Sequence, residues 1–167
     1  MWGNTISTSA MVYGIRNEPM AHKCYQVKLC LTNPEAKVIK TCMWVNPRYH
    51  KLACTPDGFV LNANEPSKYG IVEIKCPKIL EHKSLSSFNN ELKKDQLNGF
   101  NLYCNETGTL TLRRKKHQYY YKIQMQMAVI NVPWCDFVVW SDVDCVILRI
   151  RFDKSLWNSI VHKLIEF

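Results

Sequence analysis

The sequence contains no long apolar run. None of its segments approaches the roughly 20 apolar residues that a membrane-spanning helix requires. The first ten residues, MWGNTISTSA, also lack the charged and apolar regions of a secretory signal peptide. We therefore expect an intracellular chain, in the nucleus or the cytoplasm, that is not secreted and has no membrane partner.

Acidic residues are scarce relative to basic ones. The chain has 14 Asp and Glu against 22 Lys and Arg, which gives a formal net charge of +8. Such a balance favours a polyanionic partner, although charge alone does not separate nucleic acid from an anionic membrane surface.

Closely spaced cysteine pairs are also absent. The eight cysteines are scattered along the chain, and none forms a C-x-x-C pair. We interpret them as reduced, structural cysteines, because a thiol in an apolar strand or helix behaves as a small hydrophobic group. An iron–sulfur cluster is the alternative, but Cys135 and Cys145 lie too far apart, in strand-like sequence, to form its C-terminal ligand group.

Length and periodicity predict one α/β domain spanning residues 1–167. A chain of 167 residues that is 47% hydrophobic can bury one sizeable core. The helices and strands are predicted from the spacing of apolar residues and from the Pro, Gly and Asn residues that interrupt them. Residues 1–12 are expected to be irregular. Residues 78–108 are expected to hold one or two short helices and a small strand. The other predicted elements are helices over 16–32, 119–132 and 153–167 and strands over 36–46, 52–54, 58–63, 70–76, 135–140 and 144–152.

Three charged residues lie on the two central predicted strands. Asp57 enters the first of them, and Glu73 and Lys75 lie two apart on the second, so the side chains of this pair leave the same sheet face. Charge on a strand that is otherwise apolar is costly to bury unless it is paired or holds a metal. Carboxylate oxygens that bind magnesium, beside a cation near the attacking water, are what phosphodiester cleavage needs.

The charged residues fit the PD-(D/E)XK nuclease pattern. This pattern consists here of P-D, a gap of about fifteen residues, and E-I-K. With its flanks, ACTPDG and VEIKCP, the sequence resembles the YqaJ-like viral recombinase family, the lambda exonuclease-like nucleases of the PD-(D/E)XK superfamily. GIRNE at 14–18 and YKIQMQ at 121–126 follow the family order, and the resemblance covers roughly residues 13–152. It implies a restriction-endonuclease-like core, a central mixed sheet flanked by helices. Residues 1–12 do not resemble the family's upstream element that binds a terminal 5′ phosphate.

The resemblance also implies the site. Asp57, Glu73 and the main-chain carbonyl of Ile74 are expected to bind Mg²⁺, for which Mn²⁺ substitutes, with Glu18 completing the ligands. Lys75 and a glutamine are expected to act on the attacking water. Gln124 and Gln126 lie about 200° apart on a helix, so only one can face the site. The first glutamine is the active-site residue in the family, which selects Gln124 and leaves Gln126 a structural partner.

Contacts to DNA are predicted on the segment before that helix. Arg113, Arg114, Lys115 and Lys116 form a basic run beside tyrosines, a mixture that can neutralise phosphates and stack on bases. A solvated loop is the equally weighted alternative. Tyr121 shares a helix face with Gln124, and it either borders the substrate or belongs to the core.

The function that the resemblance implies is a metal-dependent 5′-to-3′ exonuclease on double-stranded DNA ends, in recombination or repair. A single-strand annealing protein and a homo-oligomer are the implied partners. Two alternatives stay open: a structure-selective endonuclease with the same metal site, and a catalytically silent DNA-binding module with the same fold.

Overall fold

The computed structural model of the chain describes residues 7–85, 102–104, 110–112 and 118–166. A 3-10 turn over Lys78–Leu80 follows the fifth strand. The helices and strands are α1 Ser9–Thr32, β1 Lys37–Ile39, β2 Trp44–Val45, β3 Ala53–Cys54, β4 Gly58–Leu61, β5 Tyr69–Lys75, β6 Leu102–Cys104, β7 Leu110–Leu112, α2 Gln118–Ile130, β8 Trp134–Trp140, β9 Cys145–Arg151 and α3 Lys154–Ile165.

Five strands form one mixed sheet in the order β1-β4-β5-β8-β9. β5 and β8 run parallel, and the other three pairs are antiparallel. A parallel pair needs a crossover connection, and α2 lies in the chain between these two strands. Every residue of β8 is buried, which is typical of a strand covered on both faces. The predicted mixed sheet flanked by helices is confirmed.

The two faces of the sheet carry two separate cores. On one face, residues of α1 such as Tyr25 pack against Val72 and Val138. On the other face, α2 packs against Ile71 and Phe137. Side chains alternate along β5, so Glu73 and Lys75 share the α2 face with Ile71.

The first helix begins earlier than the sequence predicts. The segment predicted to be irregular, 1–12, is helical from Ser9 onward, and residues 1–6 lie outside the described part. Thr8 caps the helix by accepting a hydrogen bond from the Met11 amide at 3.3 Å. Pro19 was expected in the first turn, but it lies inside the helix, where it removes the hydrogen bond to the carbonyl of Ile15.

The strand predicted over residues 36–46 is two strands. Lys37–Ile39 pairs with β4 in the main sheet, whereas Trp44–Val45 pairs with β3 in a separate two-stranded sheet. Residues 40–43 are irregular because the chain changes pairing partner there. Most of the region 78–108 lies outside the described residues.

A charged network crosses the α1 face. Asp136 is almost fully buried, and its carboxylate accepts hydrogen bonds from the Tyr25 hydroxyl at 2.6 Å and from two nitrogens of Arg149. The Arg149 guanidinium also contacts Glu65 and lies over the Trp134 ring, 3.9 Å from its centroid. Partners on every side are what make a buried carboxylate tolerable, so we interpret this network as structural.

Candidate active site

Asp57 is fixed by the backbone of the neighbouring strand β5. Its amide donates to the Val72 carbonyl at 3.1 Å, and its Oδ2 atom accepts from the Ile74 amide at 2.6 Å. On the other side, the Nε2 atom of His22 lies 3.0 Å from the Asp57 carbonyl oxygen. The turn before β4 therefore holds this carboxylate against the middle of β5.

Glu73 is wholly buried and accepts hydrogen bonds from three side chains. Its Oε1 atom accepts from the ammonium groups of Lys75 and Lys122, each at 2.5 Å. Its Oε2 atom accepts from the Gln126 amide at 3.0 Å. A carboxylate has about four acceptor positions, so one remains open toward a further ligand.

The two carboxylates repel each other inside the protein. Burial, and then the negative charge of Glu73, raise the pKa of Asp57 to about 6. Burial alone would raise the pKa of Glu73 as well, but Lys75 and Lys122 outweigh it and lower that pKa below its usual range. Glu73 is therefore ionised at neutral pH, and a cation beside Asp57 would relieve the remaining repulsion.

Lys75 lies on the same sheet face as Glu73, as the sequence predicts. Its ammonium group also donates to the Ile74 carbonyl at 3.0 Å and lies 5.4 Å from the centre of the Tyr119 ring. Burial would lower the pKa of Lys75, but the charge of Glu73 outweighs it and raises that pKa. Lys75 is a fixed cation, and in this arrangement it binds the carbonyl that was expected to hold the metal.

The prediction that Gln124 faces the carboxylates is wrong. Gln124 is fully buried, donates to the Arg151 carbonyl at 3.0 Å and accepts from the Asp153 amide at 2.7 Å. These bonds fix the connection from β9 to α3, on the far side of the helix. Gln126, expected to be structural, is the glutamine that contacts Glu73. The prediction that only one of the two glutamines faces the site agrees with this arrangement.

The other predicted site residues lie on α1, on α2 or outside the described residues. Glu18 is exposed on α1; burial, and after it the charge of Glu18, raise the pKa of Cys76. Among the described residues, no group of three or more His, Cys, Asp or Glu could hold a metal, so Glu18 does not join the carboxylates as placed. Tyr121 is 38% exposed and contacts Tyr120 edge-on. Arg113, Arg114, Lys115 and Lys116 lie outside the described residues.

Three residues near the carboxylates were not predicted as site residues: Lys122, Gln126 and His22. Of these the sequence prediction named only Gln126, as a structural partner. A usable signal existed for the first two. Lys122 is the one charged residue in the 13-residue helix QYYYKIQMQMAVI, and Gln126 follows it by four positions, on the same helix face. His22 carries no comparable signal, because its proximity to Asp57 depends on how α1 crosses the sheet.

The donor set fits a hard divalent cation. Mg²⁺ is commonly held by one or two carboxylates and completes its shell with water and substrate phosphate, and Asp57 and Glu73 supply that pair. Gln126 adds an independent sign: its Oε1 atom is buried and has no hydrogen-bond partner among the described residues. An unpaired buried acceptor is costly and would be satisfied by a water molecule in the site.

The sheet order and the paired carboxylates with a neighbouring lysine define the chain as a protein with the PD-(D/E)XK nuclease fold, as predicted. Two solved structures support that fold. The alkaline exonuclease LHK-Exo in complex with dAMP matches with a TM-score of 0.65 and 24% identity over 97% of this chain and 68% of its own. LHK-Exo from Laribacter hongkongensis matches with a TM-score of 0.60 and 23% identity over 94% and 66%.

The chain belongs to the YqaJ-like viral recombinase domain family, whose sequence profile matches residues 3–133. This membership confirms the family predicted from the sequence and supports a nuclease role. The chain spans about two thirds of the length of the two exonuclease structures. No curated protein matches it. Within the described residues, no helix combines the length and apolar character needed to cross a membrane.

Proposed function

We propose that the chain is a metal-dependent deoxyribonuclease that hydrolyses phosphodiester bonds at Asp57 and Glu73. The observation that carries this proposal is the burial of Glu73 against two lysines, beside a second carboxylate with which it interacts. Burying this much charge in one place is costly for a domain that only needs to fold. Binding of a metal ion and of a substrate phosphate would account for this arrangement of charges.

Each residue has a role in this mechanism. Asp57 and Glu73 would hold Mg²⁺ or Mn²⁺, and the bound ion supplies a more acidic water and neutralises phosphate charge. Lys75 is a fixed cation next to Glu73, and it would orient the attacking water and stabilise the charge that grows on the phosphate oxygens. Gln126 holds Glu73 with its amide group and offers its unpaired oxygen to a water molecule.

The family supports a more specific proposal for the reaction. We propose a 5′-to-3′ exonuclease that acts on double-stranded DNA ends in recombination or repair. Family membership supports recombination, and the structural neighbour called an alkaline exonuclease, crystallised with the deoxynucleotide dAMP, supports a DNA substrate. A homo-oligomer and a single-strand annealing partner belong to the same proposal. An intracellular location accords with action on DNA.

The experiment that tests the function measures release of acid-soluble nucleotides from linear duplex DNA. We expect release in Mg²⁺, none in chelator, and a rate about 100-fold lower in Lys75→Ala, because a charged group at the reacting phosphate is lost. Lys163→Ala, which removes an exposed lysine from α3, is the matched control and should behave as the parent chain. No release by folded protein in either Mg²⁺ or Mn²⁺ would favour the silent module.

Covalently closed circular DNA and four-way junctions separate the two nuclease hypotheses. An exonuclease needs an end, so we expect the linear duplex to be degraded while closed circles survive. Labelling each 5′ and each 3′ terminus in turn then gives the polarity. Cutting of closed circles or of junctions at a defined position would replace the exonuclease by a structure-selective endonuclease.

Alanine substitutions at Gln124 and Gln126 test which of the two glutamines of α2 acts in the active site. Both residues are buried, so each change should lower the free energy of unfolding by about 1–3 kcal/mol. Only Gln126→Ala should also lower the hydrolysis rate, by roughly 10- to 100-fold, because it alone removes a contact that orients a metal ligand. Thermal unfolding and single-turnover rates would be measured on both variants. A rate loss confined to Gln124→Ala would restore the original assignment.

A further inference from the structure

Three stacked aromatic rings lie where the small β2–β3 sheet meets the main sheet. We call Trp44 of the small sheet and Phe59 and Tyr69 of the main sheet the aromatic row. The rings of Trp44 and Phe59 stack with centroids 5.8 Å apart and planes 19° apart. Those of Phe59 and Tyr69 stack with centroids 5.9 Å apart and planes 29° apart. The Phe59 ring is therefore stacked against both of the other rings.

The aromatic row lies on the same face of the sheet as the carboxylates. Phe59 pairs with Ile71, and Tyr69, Ile71 and Glu73 alternate along β5, so the side chains of Phe59, Tyr69 and Glu73 lie on one face. Asp57 directly precedes β4 and is bonded to the middle of β5. At about 3.3 Å per residue, the backbone positions of Tyr69 and Glu73 are roughly 13 Å apart. A DNA strand cleaved at the carboxylates reaches the row within a few nucleotides.

The outer rings of the row are open to solvent. Tyr69 is 52% exposed and Trp44 is 37% exposed, whereas Phe59 is partly buried and joins the core beneath. The Trp44 ring is held in place because its Nε1 atom donates to the Thr41 hydroxyl at 2.6 Å. The row thus combines a Phe59 ring held in the core with two outer rings that are partly open to solvent, an arrangement that core packing does not require.

A cation borders the row on the same sheet face. Lys37 on β1 is exposed and pairs with Leu61 on β4, which in turn pairs with Tyr69 on β5. Directly opposed residues of neighbouring strands point to the same side, so the Lys37 side chain leaves the face on which Tyr69 lies. Proteins bind single-stranded nucleic acid with aromatic rings that stack on the bases and with basic groups that neutralise the phosphates.

We propose that the aromatic row stacks on unpaired bases of the DNA strand that is cleaved at Asp57 and Glu73, and that Lys37 contacts its backbone. This inference rests on the proposed function. Every base has a π-face, so a row of rings holds a strand without reading its sequence. The bases of an intact duplex are already stacked on each other. The row therefore selects a strand that has separated from its complement near the cleavage point.

Binding measured in chelator tests the row without any need for cleavage. Fluorescence anisotropy would compare a labelled thymidine oligonucleotide with an abasic strand of the same length, which keeps the phosphates and lacks the bases. We expect the parent chain to prefer the strand with bases. Tyr69→Leu and Trp44→Leu should each weaken binding of that strand about tenfold, the effect of losing one stacked base, and leave the abasic strand unchanged.

Trp157→Leu is the matched control, because it removes a half-buried indole from α3, outside the row. It should leave binding of both strands unchanged. Thermal unfolding of each variant confirms that it is folded, and Phe59 is left intact because it packs in the core.

Equal affinity of the parent chain for the two strands would overturn the inference, as would unchanged binding by both row variants. If the variants change sedimentation of the protein and not DNA binding, the row is a protein interface and the proposal is wrong. Hydrolysis by the parent chain is scored separately in Mg²⁺. The proposed function therefore stands when only the row fails, and loss of hydrolysis leaves the binding result to decide the row.

Discussion

Glu73→Gln is expected to lower the rate of DNA hydrolysis by about 10³-fold or more. The Glu73 carboxylate lies at the centre of the site, where it contacts Lys75, Lys122 and Gln126. Glutamine keeps the size of the side chain, but it removes the negative charge that would bind the cation and hold both lysines. A metal contributes several kcal/mol to the transition state, and each 1.4 kcal/mol is tenfold in rate, which gives this magnitude.

The measurement has two parts that guard against misfolding. Single-turnover hydrolysis is compared at saturating Mg²⁺, and binding of Mn²⁺ is followed by calorimetry, where we expect the variant to lose most of its affinity. Glu35→Gln makes the same chemical change at an exposed position after α1 and should keep both the rate and the affinity. A folded Glu73→Gln variant that hydrolyses DNA at the parent rate would refute the proposed site.

Gly70→Ala is expected to destabilise the fold by about 3 kcal/mol or more. A Cβ atom at Gly70 would lie 2.3 Å from the Cδ2 and Cε3 atoms of Trp134, far inside van der Waals contact. The indole is fully buried, donates to the Ser67 carbonyl at 2.9 Å and is covered by Arg149, so it has no space to retreat. Overpacking of a rigid core typically costs 1–3 kcal/mol, and a clash against a fixed ring lies at the upper end.

Gly14→Ala is the matched comparison, and we expect the opposite sign. Gly14 lies inside α1, and a Cβ atom there would make one ordinary contact, 3.8 Å from the Cys76 carbonyl oxygen. Alanine in a helix interior is favoured over glycine by about 0.5–1 kcal/mol, so the unfolding free energy should rise. Urea denaturation of both variants checks the pair. Equal effects would show that close packing on Trp134 is not what requires glycine at position 70.

The sequence alone determined the centre of the site. Two positions apart on a strand always means the same face, so the prediction that Glu73 and Lys75 lie together needed no tertiary information. The position of Asp57 follows because it directly precedes β4, which the sequence predicts to lie beside β5. The order of strands, helix and further strands predicted an α/β domain, and the resemblance to the family implied the mixed sheet.

The tertiary structure alone decided which glutamine reaches Glu73. Helical periodicity gives the angle between Gln124 and Gln126, but it does not say which direction points to the sheet. That direction is set by the packing of α2 on β5 and β8, where the core residues Ile123 and Met127 lie. The same packing brings Lys122 onto Glu73, across 49 positions of the chain.

The strand boundaries and the aromatic row were decided in the same way. Local propensity reads residues 36–46 as one strand, but the partners of β1 and β2 are different strands, and pairing partners are a property of the whole chain. Trp44, Phe59 and Tyr69 are scattered over three separate segments and form a row only when those segments are brought side by side. The relative positions of side chains within one strand follow from the local sequence, whereas every contact between helices and strands depends on how these elements pack.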